Sequence, residues 1–279
     1  MPRVSIIIPC YNDGQFLRES VMSALAQNFE ELDVVVVDDG STDKLTQDEL
    51  MSIVELPRVM VVRQSNSGPA AARNRGISLS SAQYFLPLDA DDVIEPQYVE
   101  LCVRILDSQQ AVGAVYSRAD LIGDAEGEWR LPEFDWSTIL VHNLVFNACL
   151  FRRNDWEAVG GYDETMRDGR EDHDYILKVL GLGRTVWRLD EVCFHYRQRH
   201  SSRNKGIGLN REQLVAASAQ IFRNNIALYE DKAEELFSFI YRQHDEIADL
   251  RHRYAALEAM RTRFPVAIMR VKRLTRFLR

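Results

Sequence analysis

The densest group of chemically useful side chains lies in residues 84–92, where an apolar run ends in Asp89, Asp91 and Asp92. Three carboxylates this close repel one another unless a cation, or a ligand that carries one, neutralises them. Hard divalent cations such as Mg²⁺ and Mn²⁺ take oxygen ligands and often share them with substrate phosphates. The sequence therefore predicts a site for Mn²⁺ or Mg²⁺ and a diphosphate just after this strand.

Two other interpretations of this acidic cluster compete. Acidic residues after a strand are commonly only a solvated turn or a helix cap. A calcium loop would take its ligands from Asp89, Asp91 and Glu100, but Ile94 then stands where the loop needs a glycine. The calcium loop is rejected on this ground, and the solvated turn stays open until the other motifs are considered.

The elements that must position the cluster alternate four times along about the first ninety residues, and the alternation continues to residue 116. Short apolar runs predict buried strands at residues 4–9, 33–38, 59–62, 84–88 and 112–116. Helical periodicity separates them, at residues 16–25, 45–56, 70–80 and 97–106. This alternation predicts an α/β fold with a mostly parallel sheet wound with helices. Because Pro87 cannot donate to a sheet ladder, its strand is expected to lie at an edge or to end there.

A second acidic motif, Glu171-Asp172, opens a predicted helix that closes at Gly181. Asp172 lies four residues before Ile176, so both side chains occupy the inner face of this helix. Acids in a first turn usually just complement the helix dipole, but an inward one can line a cleft. Two further strands are predicted beyond this helix, at residues 185–189 and 192–196, whereas residues 120–170 show no regular pattern.

Composition bounds the class of protein. The 279 residues are 46 % apolar, which is ordinary for a globular chain with one large domain or one domain and an appendage. No run approaches the roughly 20 apolar residues of a membrane span, and the first residues lack a signal-peptide pattern. The four cysteines are scattered, as expected in a reducing compartment. These features predict a cytoplasmic location.

The C-terminal part differs in charge from the rest. Residues 261–279 carry seven basic side chains and no acid, and removing them from the net charge of −8 leaves −15 for the remainder. So acidic a body argues against nucleic-acid binding. In residues 265–279 apolar positions recur every three or four residues opposite a basic face. Such a helix can lie on the cytoplasmic face of a membrane, or it can dock on the acidic body.

A long helical pattern precedes this tail. Between residues 229 and 264 apolar residues alternate at spacings of four and three, with Gln243 and Arg261 as interruptions. The spacing predicts either a coiled coil that pairs subunits into a homo-oligomer or a helix packed on the body. The sequence divides accordingly into a predicted domain at residues 1–208 and a helical extension at 209–279.

Five motifs in one order carry a resemblance to a known family. They are residues 6–12 (IIIPCYN), 36–43 (VVDDGSTD), 66–76 (NSGPAAARNRG), 88–92 (LDADD) and 171–172 (ED). Over about residues 3–202 the chain resembles glycosyltransferase family 2, inverting enzymes with the GT-A fold. The agreement of all five motifs makes a solvated turn at residues 89–92 a poor explanation.

The resemblance implies roles for the donor side. Pro9 and Tyr11 are expected to form a wall of the nucleotide pocket, and Asp39 to hydrogen-bond the base or its ribose. Arg73 is expected to reach the base, its alternative being a solvated helix charge. Asp89 is placed near the ribose or a metal-bound water.

The resemblance also implies roles around the reaction centre. Asp91 becomes the direct metal ligand, Asp92 a helix cap and Asp172 the general base. His200, in the segment expected to close over the diphosphate, contacts the metal or a phosphate unless it is an ordinary surface residue. The turn at residues 160–163 is expected near the acceptor.

These residue types suit sugar transfer from a nucleotide diphosphate-sugar. The anomeric carbon gains oxocarbenium character, a divalent cation stabilises the departing phosphate, and a carboxylate base activates the acceptor hydroxyl. UDP-sugars are the family's commonest donors, and the acceptor is expected to be a glycan or a lipid-linked molecule, as in polysaccharide or glycolipid synthesis. Two alternatives are a sugar-phosphate nucleotidyltransferase, which should show a glycine-rich basic segment after the first strand, and a sugar-nucleotide-binding scaffold without turnover.

Overall fold

The structure, a computed structural model, describes residues 2–167, 169–199 and 211–263. The strands are β1 (Val4–Cys10), β2 (Leu32–Asp38), β3 (Val59–Arg63), β4 (Tyr84–Pro87), β5 (Val93–Ile94), β6 (Val112–Gly123), β7 (Gly127–Trp129), β8 (Leu150–Arg152) and β9 (Thr185–Gln198). The helices are α1 (Gly14–Leu25), α2 (Lys44–Ile53), α3 (Pro69–Leu79), α4 (Tyr98–Ser108), α5 (Trp136–Ile139), α6 (Arg153–Val159), α7 (Glu171–Gly181), α8 (Arg211–Asn224), α9 (Ile226–Asp231) and α10 (Ala233–Arg263).

The strands form one mixed sheet in the order β3-β2-β1-β4-β8-β6-β9-β5, with β7 paired to β6. The first four strands in chain order are mutually parallel, as the alternation of strand and helix predicts. Beyond them β8 runs antiparallel to both β4 and β6, while β9 is parallel to β6. The sheet therefore joins a parallel half to a mixed half along β4.

The parallel half is packed closely because its strands are apolar on both faces. Ile6, Ile7 and Ile8 of β1 are completely buried. Helix α3 approaches β1 at Gly76, where a Cβ atom would overlap the side chain of Ile7. The glycine is therefore a requirement of helix–sheet packing and brings the N-terminal turns of α3 near the ends of the strands.

β4 ends at Pro87, which is one of the two alternatives predicted for this strand, and it lies inside the sheet between β1 and β8, where Pro87 pairs with Ile7. Two other features of the sheet differ from the sequence predictions. The two strands predicted at 185–189 and 192–196 are one strand, β9, whose pairing with β6 contains register shifts. The irregular region 120–170 supplies β8 to the middle of the sheet, an antiparallel insertion too short to leave a periodic pattern.

The first compact unit extends farther than predicted. It comprises residues 1–231, so the division lies between Asp231 and Lys232 instead of at 208. Side chains explain the difference, because buried Asp174 of α7 accepts hydrogen bonds from Asn224 (3.0 Å) and Asn225 (2.9 Å) at the end of α8. Helices α8 and α9 thus belong with the sheet.

The second unit contains α10, a continuous helix of 31 residues. The predicted coiled-coil positions from 233 to 261 lie on it. The predicted basic amphipathic helix of residues 265–279 lies outside the described residues. Among the helices of the described ranges, none combines the length and apolar character needed to cross a bilayer.

Candidate active site

A cavity of about 500 Å³ opens where β1, β2 and β4 end at their carboxyl ends. The structure brings together in its lining every predicted site residue that it describes: Pro9, Tyr11, Asp39, Arg73, Asp89, Asp91 and Asp172. His200 lies outside the described residues. Since ligands of open α/β sheets bind beyond the carboxyl ends of parallel strands, this cavity is the candidate active site.

Asp39 organises the loop on one side of the cavity. Its two carboxylate oxygens accept hydrogen bonds of 2.8 Å from Gln64 Nε2 and from the backbone N–H groups of Ser67 and Gly68. The side chain is buried, and these three bonds leave about one acceptor position of a carboxylate unused. The contact of Asp39 with a base or ribose stays a prediction, and its structural role is to shape the loop that leads into α3.

Asp91 is paired with a guanidinium across the cavity. Arg199 at the end of β9 lies 2.6 Å from Asp91 Oδ2 and 2.6 Å from Asp13 Oδ1. Burial and the charge of Asp89 raise the pKa of Asp91 to about 6, although Arg199 opposes this effect. A positive group thus already satisfies the carboxylate for which the sequence predicts a metal ion.

The residues at this position fit a divalent cation. Asp91 offers hard carboxylate oxygens to an open cavity, as Mg²⁺ and Mn²⁺ prefer. Among the described residues no group of three His, Cys, Asp or Glu side chains is placed to hold an ion by itself. These ions usually bind one or two carboxylates and complete their coordination with substrate phosphates and water, so Asp91 could hold one together with such ligands.

Asp92 is not a helix cap, and that prediction is wrong. Helix α4 begins only at Tyr98, and Asp92 is buried. Its Oδ1 accepts a hydrogen bond of 2.9 Å from the backbone N–H of Arg197, while Arg197 Nε donates to the carbonyl oxygen of Asp91 at 2.8 Å. Asp92 therefore attaches the acidic loop to β9.

Arg73 joins the two acidic motifs. Its Nη2 lies 2.8 Å from Asp89 Oδ1 and its Nη1 lies 2.7 Å from Glu171 Oε1. Only 4 % of the residue is exposed, so the alternative of a solvated helix charge is wrong. Burial alone would lower the pKa of Arg73, but the charges of Asp89 and Glu171 outweigh it and raise the pKa. The predicted reach to the base stays a prediction, since two nitrogens of the guanidinium are directed at carboxylates.

Asp172 lies at the N-terminal turn of α7 with both oxygens held. Asn143 Nδ2 donates to Oδ2 at 2.8 Å and the backbone N–H of His173 donates to Oδ1 at 2.8 Å. Burial and the adjacent charge of Glu171 raise the pKa of Asp172 to about 6, against the opposing effect of Arg73. A carboxylate of that basicity, facing a cavity, has the properties of a general base.

The residues around Asp172 are fixed by a neutral histidine. Arg170, which can only donate, contacts His173 Nδ1 at 2.8 Å, so His173 Nε2 carries the proton and donates to the carbonyl oxygen of Ile139. Burial lowers the pKa of His173 to about 4, in agreement with a neutral ring. Arg170 itself adopts a left-handed backbone conformation (φ 69°), which is uncommon for a side chain of its size and sets the entry into α7.

The turn at residues 160–163, predicted near the acceptor, does not line the 500 Å³ cavity. Its contacts are structural: Asn74 Oδ1 accepts from Trp156 Nε1 and from the backbone N–H of Tyr162, both at 3.0 Å. The Tyr162 ring stacks on Tyr175 of α7 with centroids 4.2 Å apart. This turn therefore joins α3 to α7, and a role in acceptor binding stays a prediction.

Asn143, Arg170 and Arg199 are among the residues of the site that were not predicted. Asn143 and Arg170 occupy the region without periodicity, so no sequence pattern singles them out. Arg199 stands in the run Arg197-Gln198-Arg199, where a concentration of basic residues just after a strand offered a signal.

Comparison with known proteins places the chain in a family. Residues 5–171 match the family described as Glycosyl transferase family 2. The chain is 27 % identical over 255 residues to a hyaluronan synthase of Pasteurella multocida, covering 87 % of this chain and 26 % of that protein. It is 29 % identical over 204 residues to a chondroitin synthase of Escherichia coli, covering 70 % and 29 %. The chain thus spans about a quarter of the length of these curated relatives.

Solved structures show the same architecture. TarS 1–349 of S. aureus in complex with UDP-GlcNAc matches with a TM-score of 0.71 at 18 % identity, covering 88 % of this chain and 73 % of that one. The mannosyltransferase PcManGT of Pyrobaculum calidifontis, in complex with GDP-Man and Mn²⁺, matches with a TM-score of 0.63 at 20 % identity, covering 92 % and 80 %. At these identities the likeness concerns the fold.

The family match covers more than half of the chain, so this protein belongs to glycosyltransferase family 2. The GT-A fold that its sequence predicts is confirmed, with a sheet that continues into a mixed half and with C-terminal helices after it.

Proposed function

We propose that this chain is a metal-dependent, inverting glycosyltransferase that moves a sugar from a nucleotide diphosphate-sugar to an acceptor hydroxyl. One observation carries the proposal: a single cavity collects the acidic loop after β4 and the acidic start of α7, with Arg73 between them. Inverting transfer requires two functions, charge stabilisation at the departing phosphate and proton abstraction at the acceptor. These two motifs supply one each.

In this proposal Asp172 accepts the proton of the acceptor hydroxyl as that oxygen bonds to the anomeric carbon. The bond from this carbon to the diphosphate breaks in the same displacement, so the configuration inverts and no carboxylate nucleophile is needed. Asp91 would hold Mn²⁺ or Mg²⁺, which supplies stabilisation of the phosphate's developing charge. Arg199 contacts Asp91, and its positive charge would also pair with the negative phosphates of the donor.

The donor is proposed to be a UDP-sugar. Two structural neighbours were solved with UDP or UDP-GlcNAc and another with GDP-Man, so the fold accommodates nucleotide sugars of both kinds. The relatives named as hyaluronan and chondroitin synthases favour a role in polysaccharide synthesis.

The test measures nucleotide diphosphate release from a panel of UDP- and GDP-sugars with Mn²⁺, with Mg²⁺ and with EDTA. The expected result is turnover only with metal. Asp91→Asn should remove the metal-dependent part of donor binding and turnover, whereas Asp48→Asn, an exposed acid of α2, should behave as the wild type. Full activity in EDTA contradicts the metal role of Asp91.

Two further assays decide between the proposed transfer and the two alternative functions. A sugar-nucleotide-binding scaffold binds donors in a thermal-shift assay but never releases nucleotide. A nucleotidyltransferase instead forms a sugar nucleotide from a sugar phosphate and a nucleoside triphosphate. The acidic cavity favours transfer over both, since Asp91 and Asp172 are present and β1 ends without a glycine-rich basic segment.

A further inference from the structure

A second cavity, of about 340 Å³, lies next to the first. The two share Asp89, Asn147, Arg170, Asp172 and Tyr196. Because Asp172 lines both cavities, a molecule in the second one can present a hydroxyl to this carboxylate while a donor occupies the first.

One wall of the second cavity is aromatic. The ring centroids of Trp129 and Tyr196 lie 4.8 Å apart, and those of Trp129 and Phe146 lie 6.0 Å apart, each pair stacked with its planes inclined by 27° and 26° respectively. Phe146 in turn stacks on Phe194 at 4.4 Å. Phe146 and Phe194 are buried and hold the wall in place, whereas Trp129 and Tyr196 remain partly accessible.

The remaining lining is mixed, because the apolar side chains of Leu131, Leu144, Val145 and Ala148 share it with polar groups around Asp172. These polar groups are the carboxylates of Asp89 and Asp172, the guanidinium of Arg170 and the amide of Asn143, which is hydrogen-bonded to Asp172. An alkyl chain would cover these groups without offering them hydrogen bonds, which is costly. A pyranose ring has apolar C–H groups on one face, for the aromatic wall, and hydroxyls around its rim, for the polar groups.

We infer that the second cavity is the acceptor subsite and that it takes a pyranose ring packed against the wall of Trp129 and Tyr196. This inference rests on the proposed function and narrows its acceptor to a carbohydrate. One ring hydroxyl gives its proton to Asp172, its oxygen bonds to the anomeric carbon of the donor, and the nucleotide diphosphate leaves. Trp129 is therefore a binding residue for the acceptor.

The test compares methyl glycosides of N-acetylglucosamine, N-acetylgalactosamine and glucuronic acid with 1-octanol and farnesyl phosphate as acceptors. At least one glycoside should be glycosylated, whereas 1-octanol and farnesyl phosphate, whose long chains are hydrocarbon, should not. Trp129→Leu, which keeps apolar surface but removes the ring, should raise the KM for that glycoside at least ~10-fold, the loss of an aromatic anchor. Trp129→Phe should retain most of the affinity, and Trp187→Ala, a partly exposed tryptophan outside both cavities, should match the wild type.

The two failures are distinguishable. An unchanged glycoside KM in Trp129→Leu, or transfer to octanol or farnesyl phosphate instead of a sugar, overturns the acceptor assignment and leaves the proposed function standing. Absence of donor turnover in the wild type with every acceptor contradicts the proposed function itself. The nucleotide affinity of each variant is measured alongside, so that collapse of the whole site is recognised.

Helix α10 carries an independent inference. Ile240, Ile247, Leu250 and Tyr254 follow one another at seven, three and four residues, and each is between 47 % and 67 % exposed. These are the a and d positions of a heptad repeat, a at 240, 247 and 254 and d at 250. An exposed stripe of large apolar side chains along a continuous helix requires a partner.

The charged side chains that flank this apolar stripe indicate which partner it binds. Glu246 occupies a g position, and Arg251 occupies the e position five residues later. In a parallel pair of identical helices, each g residue meets the e residue five positions later in its partner, so this contact joins opposite charges. We infer that α10 pairs in parallel register with the same helix of a second copy of this chain.

Sedimentation equilibrium of the full chain tests the pairing. The wild type should be a dimer, and Ile247→Asp with Leu250→Asp a monomer. Glu246→Arg should weaken the dimer by placing two arginines together, and adding Arg251→Glu should restore it. In an antiparallel pair Glu246 would instead meet Arg253, so failure of the double variant to restore dimerisation overturns the parallel register, and a monomeric wild type overturns the pairing.

Discussion

The two halves of the sheet are held together by different means. The parallel half, with β1, β2, β3 and the start of α3, is fixed by backbone pairing and by isoleucine and valine side chains that are fully buried. In the mixed half, side-chain hydrogen bonds and ion pairs connect residues far apart in sequence, such as Asp92 with Arg197. In the proposed function the donor lies against the half that is fixed by its apolar core, and the acceptor lies against the half that depends on individual polar contacts.

Arg73 lies where the two halves of the sheet meet and contacts both of them. One ion pair reaches Asp89 in the parallel half, and the other reaches Glu171 in the mixed half. A single guanidinium thus connects the acidic loop after β4 to the acidic start of α7.

The largest effect is expected from Asp172→Asn, which leaves the geometry of the mixed half intact but removes its base. Transfer should fall by ~10²-fold or more, the usual contribution of a general base. Donor affinity, measured by calorimetry, should stay nearly unchanged because the parallel half is not altered. If donor binding falls together with transfer, Asp172 positions the donor and the division of roles between the halves is wrong.

The next largest effect is expected from removing the ion pairs of Arg73 with Asp89 and Glu171. Arg73→Met leaves Glu171 buried without its partner and should lower the free energy of unfolding by about 3 kcal/mol, as breaking a buried ion pair does. Arg104→Met removes an exposed i,i+4 ion pair with Glu100 and should cost less than ~1 kcal/mol. Chemical denaturation of the two variants measures the difference, and equal stabilities would contradict the importance of the connection.

A smaller loss of stability is expected from removing a hydrogen bond between Asn225, just after α8, and Asp174 of α7. Asn225→Ala deprives buried Asp174 of one hydrogen-bond donor, so the free energy of unfolding should fall by ~1–3 kcal/mol. Glu230→Ala, an exposed change on α9, serves as the control. Thermal unfolding of both variants decides, and a chain cut after residue 208 should be less stable than one cut after residue 231.

The smallest effect concerns pH. Burial and Glu171 raise the pKa of Asp172 to about 6, and the base acts only when deprotonated, so kcat/KM should rise as pH increases through about 6 and then level off. Arg73 and Asp89 also act on this group, the first lowering its pKa and the second raising it. Glu171→Gln removes the larger neighbouring charge effect and should move this limb to lower pH. A limb that does not move contradicts the coupling of the two carboxylates.

The sequence predicted the parallel half well because its signals are local. Each strand is a compact apolar run, and Asp39, Asp89 and Asp91 follow such runs directly. The position of Asp172 also followed from helical spacing. The wound parallel sheet and a site at the ends of its strands were therefore accessible from pattern, whereas the GT-A fold and the roles of Pro9, Tyr11, Asp39 and Arg73 came from the resemblance to the family.

The mixed half was poorly predicted for a physical reason. Asn143, Trp129 and Arg199 act through contacts with residues 29 to 186 positions away in the chain, and no period encodes such contacts. Asp92 was assigned to a helix cap by its position, but the backbone of Arg197 105 residues later determines what it does. Helix α8 begins at Arg211, after the domain boundary predicted at residue 208. Its hydrogen bonds to Asp174 show that it belongs to the first compact unit.

The contacts of Arg197 in β9 with Asp91 and Asp92 have a consequence for the order in which the protein folds during its synthesis. The acidic loop is synthesised early, yet its backbone and Asp92 are held by Arg197, and β5 just after it pairs with β9. During translation, residues 1–87 can form their parallel strands as they emerge, whereas the loop acquires its contacts only when about a hundred more residues have followed. The nascent chain therefore carries Asp89, Asp91 and Asp92 in an unfinished geometry. The proposed site for Mn²⁺ or Mg²⁺ should mature in one late step, with β9, and refolding followed by Mn²⁺ binding should lag behind burial of the parallel strands.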